Sequence, residues 1–306
     1  MMNTRATGNS PSLRTIYMKL VAVSAIWGGT FVAGRYLGAG VPPLLSATAR
    51  FLLSSLSLLL YLLISRTPIV VPPIRQLLQL AMLGFFGIFA YNICFFYGLS
   101  HTTASRASLI VALNPAMIAL ASLCFFHERL QKRQFLGILL CIMGAGLVIV
   151  SRSKDSLAGT LTGDLIILGC VVSWVVYSVF ARDVSKNLGP LLTVSYSIWF
   201  GTLMLCIACA FIVQEPFFAS LLALSSAQWM SIAYLGFIGS AVAYIWYYDA
   251  IGYIGATRSG AFIALNPIIA VLFGALLFKE SLTPLTCFGG AAAVLGIYLC
   301  NSIKAT

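Results

Sequence analysis

The chain has 306 residues, of which 60% are hydrophobic and only 8% are charged, and it carries a formal net charge of +11 at pH 7. A soluble domain carries roughly a quarter of its residues as charged side chains, so this composition excludes an ordinary soluble protein. The basic residues lie in short connectors between apolar runs and form no continuous stripe, which excludes a nucleic-acid-binding surface.

Ten apolar segments follow one another along the chain and predict an all-α integral membrane protein with ten transmembrane helices. Each segment is about 20 residues long, the length at which an α-helix crosses a bilayer. A polar tail at residues 1–15 precedes them and another at 302–306 follows them. The segments lie near 16–37, 44–64, 77–98, 103–124, 132–150, 163–182, 190–213, 228–250, 256–277 and 284–301.

The distribution of Lys and Arg predicts the orientation of these helices. If the N-terminus lies in the cytoplasm, eleven basic residues fall in cytoplasmic connectors and tails, and only Arg152, Lys154 and Lys279 fall outside. Cytoplasmic connectors of membrane proteins are enriched in Lys and Arg. We therefore expect a multi-pass protein with both termini in the cytoplasm.

The two halves of the chain repeat one another. Ala-Leu-Asn-Pro occurs at 112–115 and again at 264–267, and the same shift of 152 residues relates Arg106 to Arg258. Over the third to fifth segments and the eighth to tenth, about a quarter of the aligned positions are identical, which is more than shared hydrophobicity explains.

The spacing of the repeat predicts its topology. A weaker match relates Trp27 in the first segment to Trp174 in the sixth. Five segments separate the copies, and because five is odd the second copy enters the membrane from the opposite face. This arrangement predicts two inverted five-helix repeats, at 16–150 and 163–301, around a central cavity, as in many secondary transporters.

The repeated Asn-Pro pairs interrupt two of the predicted helices. Pro115 and Pro267 have no backbone N–H, so each leaves a carbonyl one turn earlier without its helical partner. Such a carbonyl is tolerated inside a membrane only beside protein or water. Asn114 and Asn266 lie next to these breaks and could bind a substrate. Each break is either a hinge or a fixed bend, and the sequence leaves both readings open.

Of the four arginines within the predicted helices or at their ends, which include Arg35, three are functional candidates. Arg106 and Arg258 are a candidate gate pair, or they extend towards lipid headgroups. Arg50 lies about seven residues into the second segment, where a charge should face protein or water, and it is the candidate contact for an anion. Asp249, near the inner end of the eighth segment, is a gating candidate that could pair with Arg258.

Aromatic residues concentrate at corresponding places in the two halves. Those near segment ends fit an interfacial belt, namely Tyr97, Tyr247 and Tyr248. The others are too central for a belt and either pack against helices or line the cavity. The predicted substrate cavity comprises Trp27, Phe31, Tyr91, Asn92, Asn114, Trp174, Tyr177, Tyr244 and Asn266.

These features together resemble a known family. Ten segments in two halves, a Trp in the first, Asn-Pro in the fourth and ninth, and Glu128 and Glu280 at their ends are similar to EamA-type members of the drug/metabolite transporter superfamily. The resemblance implies a bacterial inner-membrane carrier that exports amino acids or related metabolites by alternating access. The alternative is an importer or antiporter of phosphorylated or other anionic metabolites, which would need several basic residues at the cavity centre.

The remaining expectations concern chemistry and partners. The sequence contains no His/Asp cluster, paired central carboxylates or phosphate-binding loop, so we expect no enzyme activity, cofactor or metal. The expected partners are a small-molecule substrate and the lipid bilayer, without nucleic acid. Gly137 and Cys141, like Gly289 and Ala293, are small residues four apart and predict close helix packing. That packing lies within one half or across a homodimer, so monomer and homodimer both stay open.

Overall fold

The structure is a computed structural model. It describes residues 12–38, 41–101, 110–111, 113–126, 131–150, 161–213, 217–266, 268–269, 272 and 284–302. Within these residues every regular element is helical and no strand occurs. The α-helices are α1 (Leu13–Gly38), α2 (Pro43–Ile64), α3 (Ile74–Gly84), α4 (Tyr91–His101), α5 (Asn114–Phe126), α6 (Lys132–Val150), α7 (Leu161–Leu188), α8 (Pro190–Ile212), α9 (Phe217–Leu222), α10 (Ser226–Ala233), α11 (Ala243–Ile254), α12 (Ala256–Ala261) and α13 (Pro284–Asn301).

Several of these helices have the length and composition of membrane spans. Five apolar helices are long enough to cross a bilayer, namely Leu44–Ile64, Ile74–Phe95, Leu161–Leu188, Pro190–Ile212 and Ser226–Ile254. Two shorter apolar helices are Asn114–Phe125 and Cys287–Asn301. The described part of the chain is therefore all-helical, with helices long and apolar enough to cross a membrane.

Two of these long helices are continuous through a π-helical segment. The first π segment, Phe85–Ala90, joins α3 to α4, and the second, Tyr234–Val242, joins α10 to α11. A π segment widens the helix by one residue per turn, and such segments are frequent at functional sites. The 152-residue shift of the repeat carries the first segment onto the second, so related sequences form the same irregular structure.

Glycine at two tight connections sets the ends of neighbouring helices. Gly189 has φ 83° and is the only residue between α7 and α8, and Pro190 begins α8 at its first position. Gly255 has φ 85° and likewise separates α11 from α12. Glycine adopts such positive φ angles without steric penalty. Because the chain turns only at Gly189, α7 continues to Leu188 and is longer than the sequence predicts.

Helices from different parts of the chain pack around a shared core. α1 lies against α10, the second π segment and α11, while α7 lies against α3, the first π segment and α4. α8 packs on α2 and α3, and α5 packs on α7 and α12. The core between them includes Ile88 and Tyr177, which are fully buried. The segment before the second Asn-Pro pair, Phe262–Ala264, is a 3₁₀ turn.

The small residues of the fifth and tenth predicted segments bring α6 and α13 into direct contact. A Cβ atom on Gly137 would lie 2.6 Å from the carbonyl oxygen of Gly296, and one on Gly144 would lie 2.5 Å from that of Gly289. Backbones that approach this closely leave room for no side chain. This packing joins the two halves of one chain. The sequence alone predicted it either within one half or across a homodimer.

Candidate functional site

Glycines in the two π segments let helices approach closely at the centre of the molecule. A Cβ atom on Gly87 would lie 2.1 Å from the ring of Tyr177, and one on Gly239 would lie 3.1 Å from the methyl group of Thr30. Contacts below 3 Å force one side to move. The first π segment is therefore in tighter contact with α7 than the second π segment is with α1.

Seven aromatic side chains from α1, α4, α7 and α11 meet beside these glycines. Trp174 is central, and its ring centroid lies 5.4 Å from that of Trp27, 5.7 Å from Tyr91 and 5.7 Å from Tyr244. Ring pairs at such separations attract one another beyond their burial. We call this group the aromatic cluster: Trp27, Tyr91, Trp174, Tyr177, Tyr244, Tyr247 and Tyr248.

The cluster contains the predicted central aromatics and two residues that the sequence placed elsewhere. Tyr247 lies 5.3 Å from Trp27, Tyr248 lies 4.9 Å from Tyr177, and both tyrosines are buried. Their assignment to an interfacial belt was wrong, because α11 continues to Ile254 and places them deeper than the predicted helix end. Tyr97 is 54% exposed, as a belt residue would be.

The two tryptophans of the cluster have different hydrogen bonds. The indole Nε1 of Trp27 donates to the backbone oxygen of Gly239, in the second π segment, at 3.1 Å. The indole Nε1 of Trp174 is buried next to Tyr247, and it forms no hydrogen bond of regular length and angle among the described residues. Its interaction with the Tyr247 hydroxyl is therefore weaker than the bond of Trp27. The related tryptophans of the two halves therefore differ in their surroundings.

Arg50 lies beside the aromatic cluster. Its Nε donates to the hydroxyl of Ser240 at 3.1 Å, and its Cζ lies 4.7 Å from the ring centroid of Phe51. Ser240, to which Arg50 is bonded, lies one turn before Tyr244, and α2, which carries Arg50, also packs on α4, which begins at Tyr91. Arg50 forms no ion pair with any residue that the structure describes.

The backbone around Arg50 explains why the side chain reaches the centre. A Cβ atom on Gly236 would lie 2.7 Å from the carbonyl oxygen of Arg50, so glycine allows α2 to touch the second π segment. Ser240 follows one turn later, at the midpoint of the Ser226–Ile254 helix. Its hydroxyl donates to the oxygen of Leu235 at 2.9 Å, which leaves the Ser240 oxygen to accept from Arg50.

The first Asn-Pro pair begins a helix. Leu113 is in a turn and donates to the oxygen of Ile110, and α5 starts at Asn114 with Pro115 in its first turn. Proline suits this position because its missing N–H would have no partner there. The helix is therefore discontinuous at the predicted place, and both Asn114 and Pro115 are buried.

The second Asn-Pro pair follows the 3₁₀ turn. The oxygen of Phe262, in that turn, accepts a hydrogen bond from the hydroxyl of Ser24 in α1 at 2.9 Å. Asn266 continues the helix, whereas Pro267 lies outside the described residues. The Oδ1 atoms of Asn114 and Asn266 are buried and lack a hydrogen-bond partner among the described residues. The asparagines of both Asn-Pro pairs thus have an unused acceptor among the described residues.

Other predicted site residues lie apart from the cluster or outside the described part. Asn92 is buried and its amide donates to the oxygen of Ile88 in the same helix, at 2.6 Å. The side chain of Phe31 and the whole of Arg106 lie outside the part of the chain that the structure describes. Arg258 lies in α12, which packs against α13.

Asp249 forms an ion pair with Lys19 that joins α11 to α1. The sequence suggested Arg258 as the partner, and that suggestion was wrong because Lys19, near the start of α1, lies beside the end of α11. Both side chains are partly exposed, at 28% for Lys19 and 20% for Asp249. The pair therefore connects the two halves at one end of the bundle.

Four functional candidates were missed from the sequence. Tyr247 and Tyr248 could be recognised only once the end of α11 was known. Ser240 was missed because the related position of the first half holds an apolar residue, Ile88. Lys19 was counted only among the charges that set the orientation. A serine at the midpoint of an apolar run is the one available signal, because such a hydroxyl needs a nearby partner.

The family of the protein follows from a match over nearly the whole chain. The model of the EamA-like transporter family matches twice, at residues 14–150 and at residues 161–302. The chain belongs to the EamA-like transporter family, within the drug/metabolite transporter superfamily, and is a membrane transporter.

Its relatives carry transporter names. The chain is 30% identical to the "Uncharacterized transporter YyaM" of Bacillus subtilis, over 94% of each chain. It is 26% identical to the "Uncharacterized inner membrane transporter YedA" of Escherichia coli K12, over 94% of this chain and 90% of the relative. It is 28% identical to a "Probable terminal-alkyne amino-acid exporter" of Streptantibioticus cattleyicolor, over 75% of each chain.

A solved structure shares the fold. A crystal structure, titled only "Crystal structure of protein", superposes with a TM-score of 0.80 and covers 95% of this chain and 98% of its own. Its sequence is 18% identical, so the similarity concerns the fold alone.

Proposed function

We propose that the protein is a secondary transporter of the bacterial inner membrane that exports amino acids or related small metabolites by alternating access. The observation that carries this proposal is the aromatic cluster with Arg50 beside it. Trp27 and Tyr91 come from the first family-matched segment, and Trp174 and Tyr244 come from the second. Substrate sites of repeat-built carriers lie where the two repeats meet, near the middle of the membrane.

The proposed architecture has ten transmembrane helices in two inverted five-helix repeats, at 16–150 and 163–301, with both termini in the cytoplasm. The double match to the family model supports two related units. The two π segments, at positions related by the 152-residue shift, support the same view. The excess of Lys and Arg in every second connector supports the orientation.

Three features of the centre suit an amino acid. The aromatic cluster offers ring faces to an apolar side group, Arg50 offers a positive charge, and Asn114 and Asn266 offer buried amide oxygens to an ammonium group. A small ligand is usually held by apolar walls and a few polar groups in fixed positions. The relative named as a probable amino-acid exporter points to the same class of substrate.

The alternative, transport of phosphorylated or other highly anionic metabolites, has less support. It needs several basic residues together at the centre, since a phosphate dianion is neutralised by more than one cation. Arg50 contacts Ser240 at the middle of a long helix, whereas Arg258 lies in α12, which packs against α13.

Counterflow in proteoliposomes tests the proposal. Vesicles with purified protein are loaded with an unlabelled solute, and entry of the same solute in labelled form is followed. The panel comprises amino acids, aromatic amines and phosphorylated metabolites. We expect amino acids to exchange at least about tenfold faster than in protein-free vesicles. Exchange of phosphorylated solutes alone would favour the alternative, and exchange of nothing in the panel would contradict the proposal.

We further propose that the Asn-Pro breaks act as hinges, and that Arg106, Arg258 and Asp249 act as gating groups. Pro115 lies at the start of α5, where the chain changes from a turn to a helix. Pro115→Ala and Pro267→Ala should slow counterflow, because alanine allows the helix to continue through the break. Normal counterflow in both variants would exclude the hinge.

A further inference from the structure

The guanidinium of Arg50 has hydrogen-bonding capacity that the protein does not use. An arginine side chain carries five N–H donors, and in Arg50 the Nε–H is donated to Ser240. The two Nη groups donate to no acceptor among the residues that the structure describes. A charge inside a membrane protein is expensive, and it is usually kept for binding an ion or a substrate.

The Nε–H bond fixes the direction of the guanidinium. Ser240 is itself oriented by its bond to Leu235, so its oxygen accepts from Arg50 in one geometry. The ring of Phe51 lies against one face of the guanidinium. With the Nε edge and one face occupied, the edge formed by the two Nη groups is the part still available to a ligand. That edge offers two parallel N–H bonds, the geometry of a carboxylate.

The surroundings of that edge are aromatic. Arg50 is bonded to Ser240, one turn before Tyr244, and its helix α2 packs on α4, which begins at Tyr91. The rings of both tyrosines lie 5.7 Å from that of Trp174. A ligand bound to the guanidinium would therefore lie next to the face of the aromatic cluster. A single guanidinium balances a single negative charge, which favours a carboxylate over a phosphate dianion.

We propose that Arg50 binds the carboxylate of the transported solute, and that the aromatic cluster holds an apolar or aromatic side group of the same solute. This inference rests on the proposed transport function and makes it narrower. The substrate class is a monocarboxylate with an uncharged side group, such as an apolar amino acid. Removal of the carboxylate charge should then abolish recognition, although the rest of the molecule is unchanged.

The test compares acids with their amides on the wild-type protein. Counterflow is measured for L-phenylalanine, L-leucine and L-methionine, and each labelled acid is competed with its own amide and with the acid that lacks the amino group. The amides keep size and ammonium charge but lose the negative charge. We expect the amides to compete about 100-fold less well than the amino acids, equal to ~2.8 kcal/mol. The acids without the amino group should compete within about tenfold, as loss of one contact allows.

Three variants separate recognition from folding. Arg50→Gln should lose acid counterflow by about 100-fold and should no longer distinguish acid from amide. Arg50→Lys keeps the charge and should recover part of the preference for the acid. Ser240→Ala removes only the oxygen that orients Arg50, so it should weaken competition by the acid by about tenfold and leave the amide unchanged. The melting temperature of each variant reports whether it is folded.

The outcomes distinguish the inference from the proposed function. Exchange of amides or amines at the rate of the acids would overturn the carboxylate site and leave the transport function standing. An Arg50→Gln protein that is folded and still prefers the acid would also overturn it. If the wild-type protein exchanges none of the acids, amides or amines, the proposed function fails, and the inference fails with it.

Discussion

The first and sixth predicted segments each bring a tryptophan to the centre of the molecule, but the two indoles are treated differently. Trp27 donates a hydrogen bond to Gly239, whereas the buried indole N–H of Trp174 lies next to Tyr247 and forms no regular hydrogen bond among the described residues. The residue three positions further on also differs, since it is Thr30 in α1 and Tyr177 in α7. Related sequences have thus produced two local arrangements.

This difference is informative for a protein proposed to work by alternating access. In a carrier built from inverted repeats, each half takes one of two conformations, and the halves exchange them when access changes sides. Under this proposal the arrangement around Trp27 and that around Trp174 are the two conformations of one element. The following variants change one member of a related pair and use the other as the control.

The largest effect is expected at the glycines of the π segments. Gly87→Ala would place a Cβ atom 2.1 Å from the Tyr177 ring, whereas Gly239→Ala would place one 3.1 Å from Thr30. Overpacking of this kind destabilises by about 3 kcal/mol at Gly87 and by less than ~1 kcal/mol at Gly239. Thermal unfolding in detergent measures both.

A second variant verifies the cause of the Gly87 effect. Tyr177→Ala removes the ring that the new methyl group would meet, so Gly87→Ala should have little additional effect in that background. Equal melting temperatures for Gly87→Ala and Gly239→Ala would show that the two π segments are packed equally tightly. The proposed difference between the two halves would then be wrong at these positions.

The second effect concerns the tryptophans themselves. Trp27→Phe removes the indole donor and leaves the oxygen of Gly239 without it, which should lower stability by about 1–2 kcal/mol beyond the loss of ring volume. Trp174→Phe removes a buried N–H whose interaction with the Tyr247 hydroxyl is weak, so the loss beyond ring volume should be smaller. The difference between the two melting temperatures isolates the hydrogen bond. A larger loss for Trp174→Phe would contradict the assignment.

Much of this centre follows from the sequence. The apolar segments predicted where the helices lie, because hydrophobic length is what a membrane selects. The repeat drew attention to Trp27, Tyr91, Trp174, Tyr177 and Tyr244, all of which the structure brings together. These residues were predictable because aromatic side chains concentrate at central positions of corresponding segments in the two halves.

The remaining features depend on three-dimensional details that a sequence pattern does not carry. The sequence places the backbone of Arg50 about seven residues into the second segment. Its long side chain nevertheless reaches Ser240, at the middle of another helix. Tyr247 appeared interfacial because the end of α11 was placed too early. The partner of Asp249 is Lys19, 230 residues away in the chain, and no local pattern connects them.

The smallest effect on stability is expected at the Lys19–Asp249 pair. Both side chains are partly exposed, and such ion pairs contribute ~1 kcal/mol or less. Asp249→Asn and Lys19→Met should each lower the melting temperature slightly, and the double variant should lose no more than either alone. Additive losses would show that the two charges do not interact.

The same pair also addresses energy coupling. If the carrier exchanges solutes passively, an uncoupler should leave counterflow by the wild type and by Asp249→Asn unchanged, whatever effect the loss of the ion pair has on gating. A loss of uncoupler sensitivity specific to Asp249→Asn would instead assign proton coupling to this carboxylate.

The measurement that tests alternating access most directly is a reversible cross-link between α1 and α11. Cysteines replace Lys19 and Asp249, which lie in contact on helices from the two family-matched segments. A short bis(methanethiosulfonate) reagent connects them through two reducible disulfides, with methanesulfinate as the leaving group. Each single-cysteine variant receives the same reagent, which controls for the eight native cysteines. The account predicts that the cross-link stops counterflow and that reduction restores it. Counterflow at the uncross-linked rate in fully cross-linked protein would contradict the movement of the two halves.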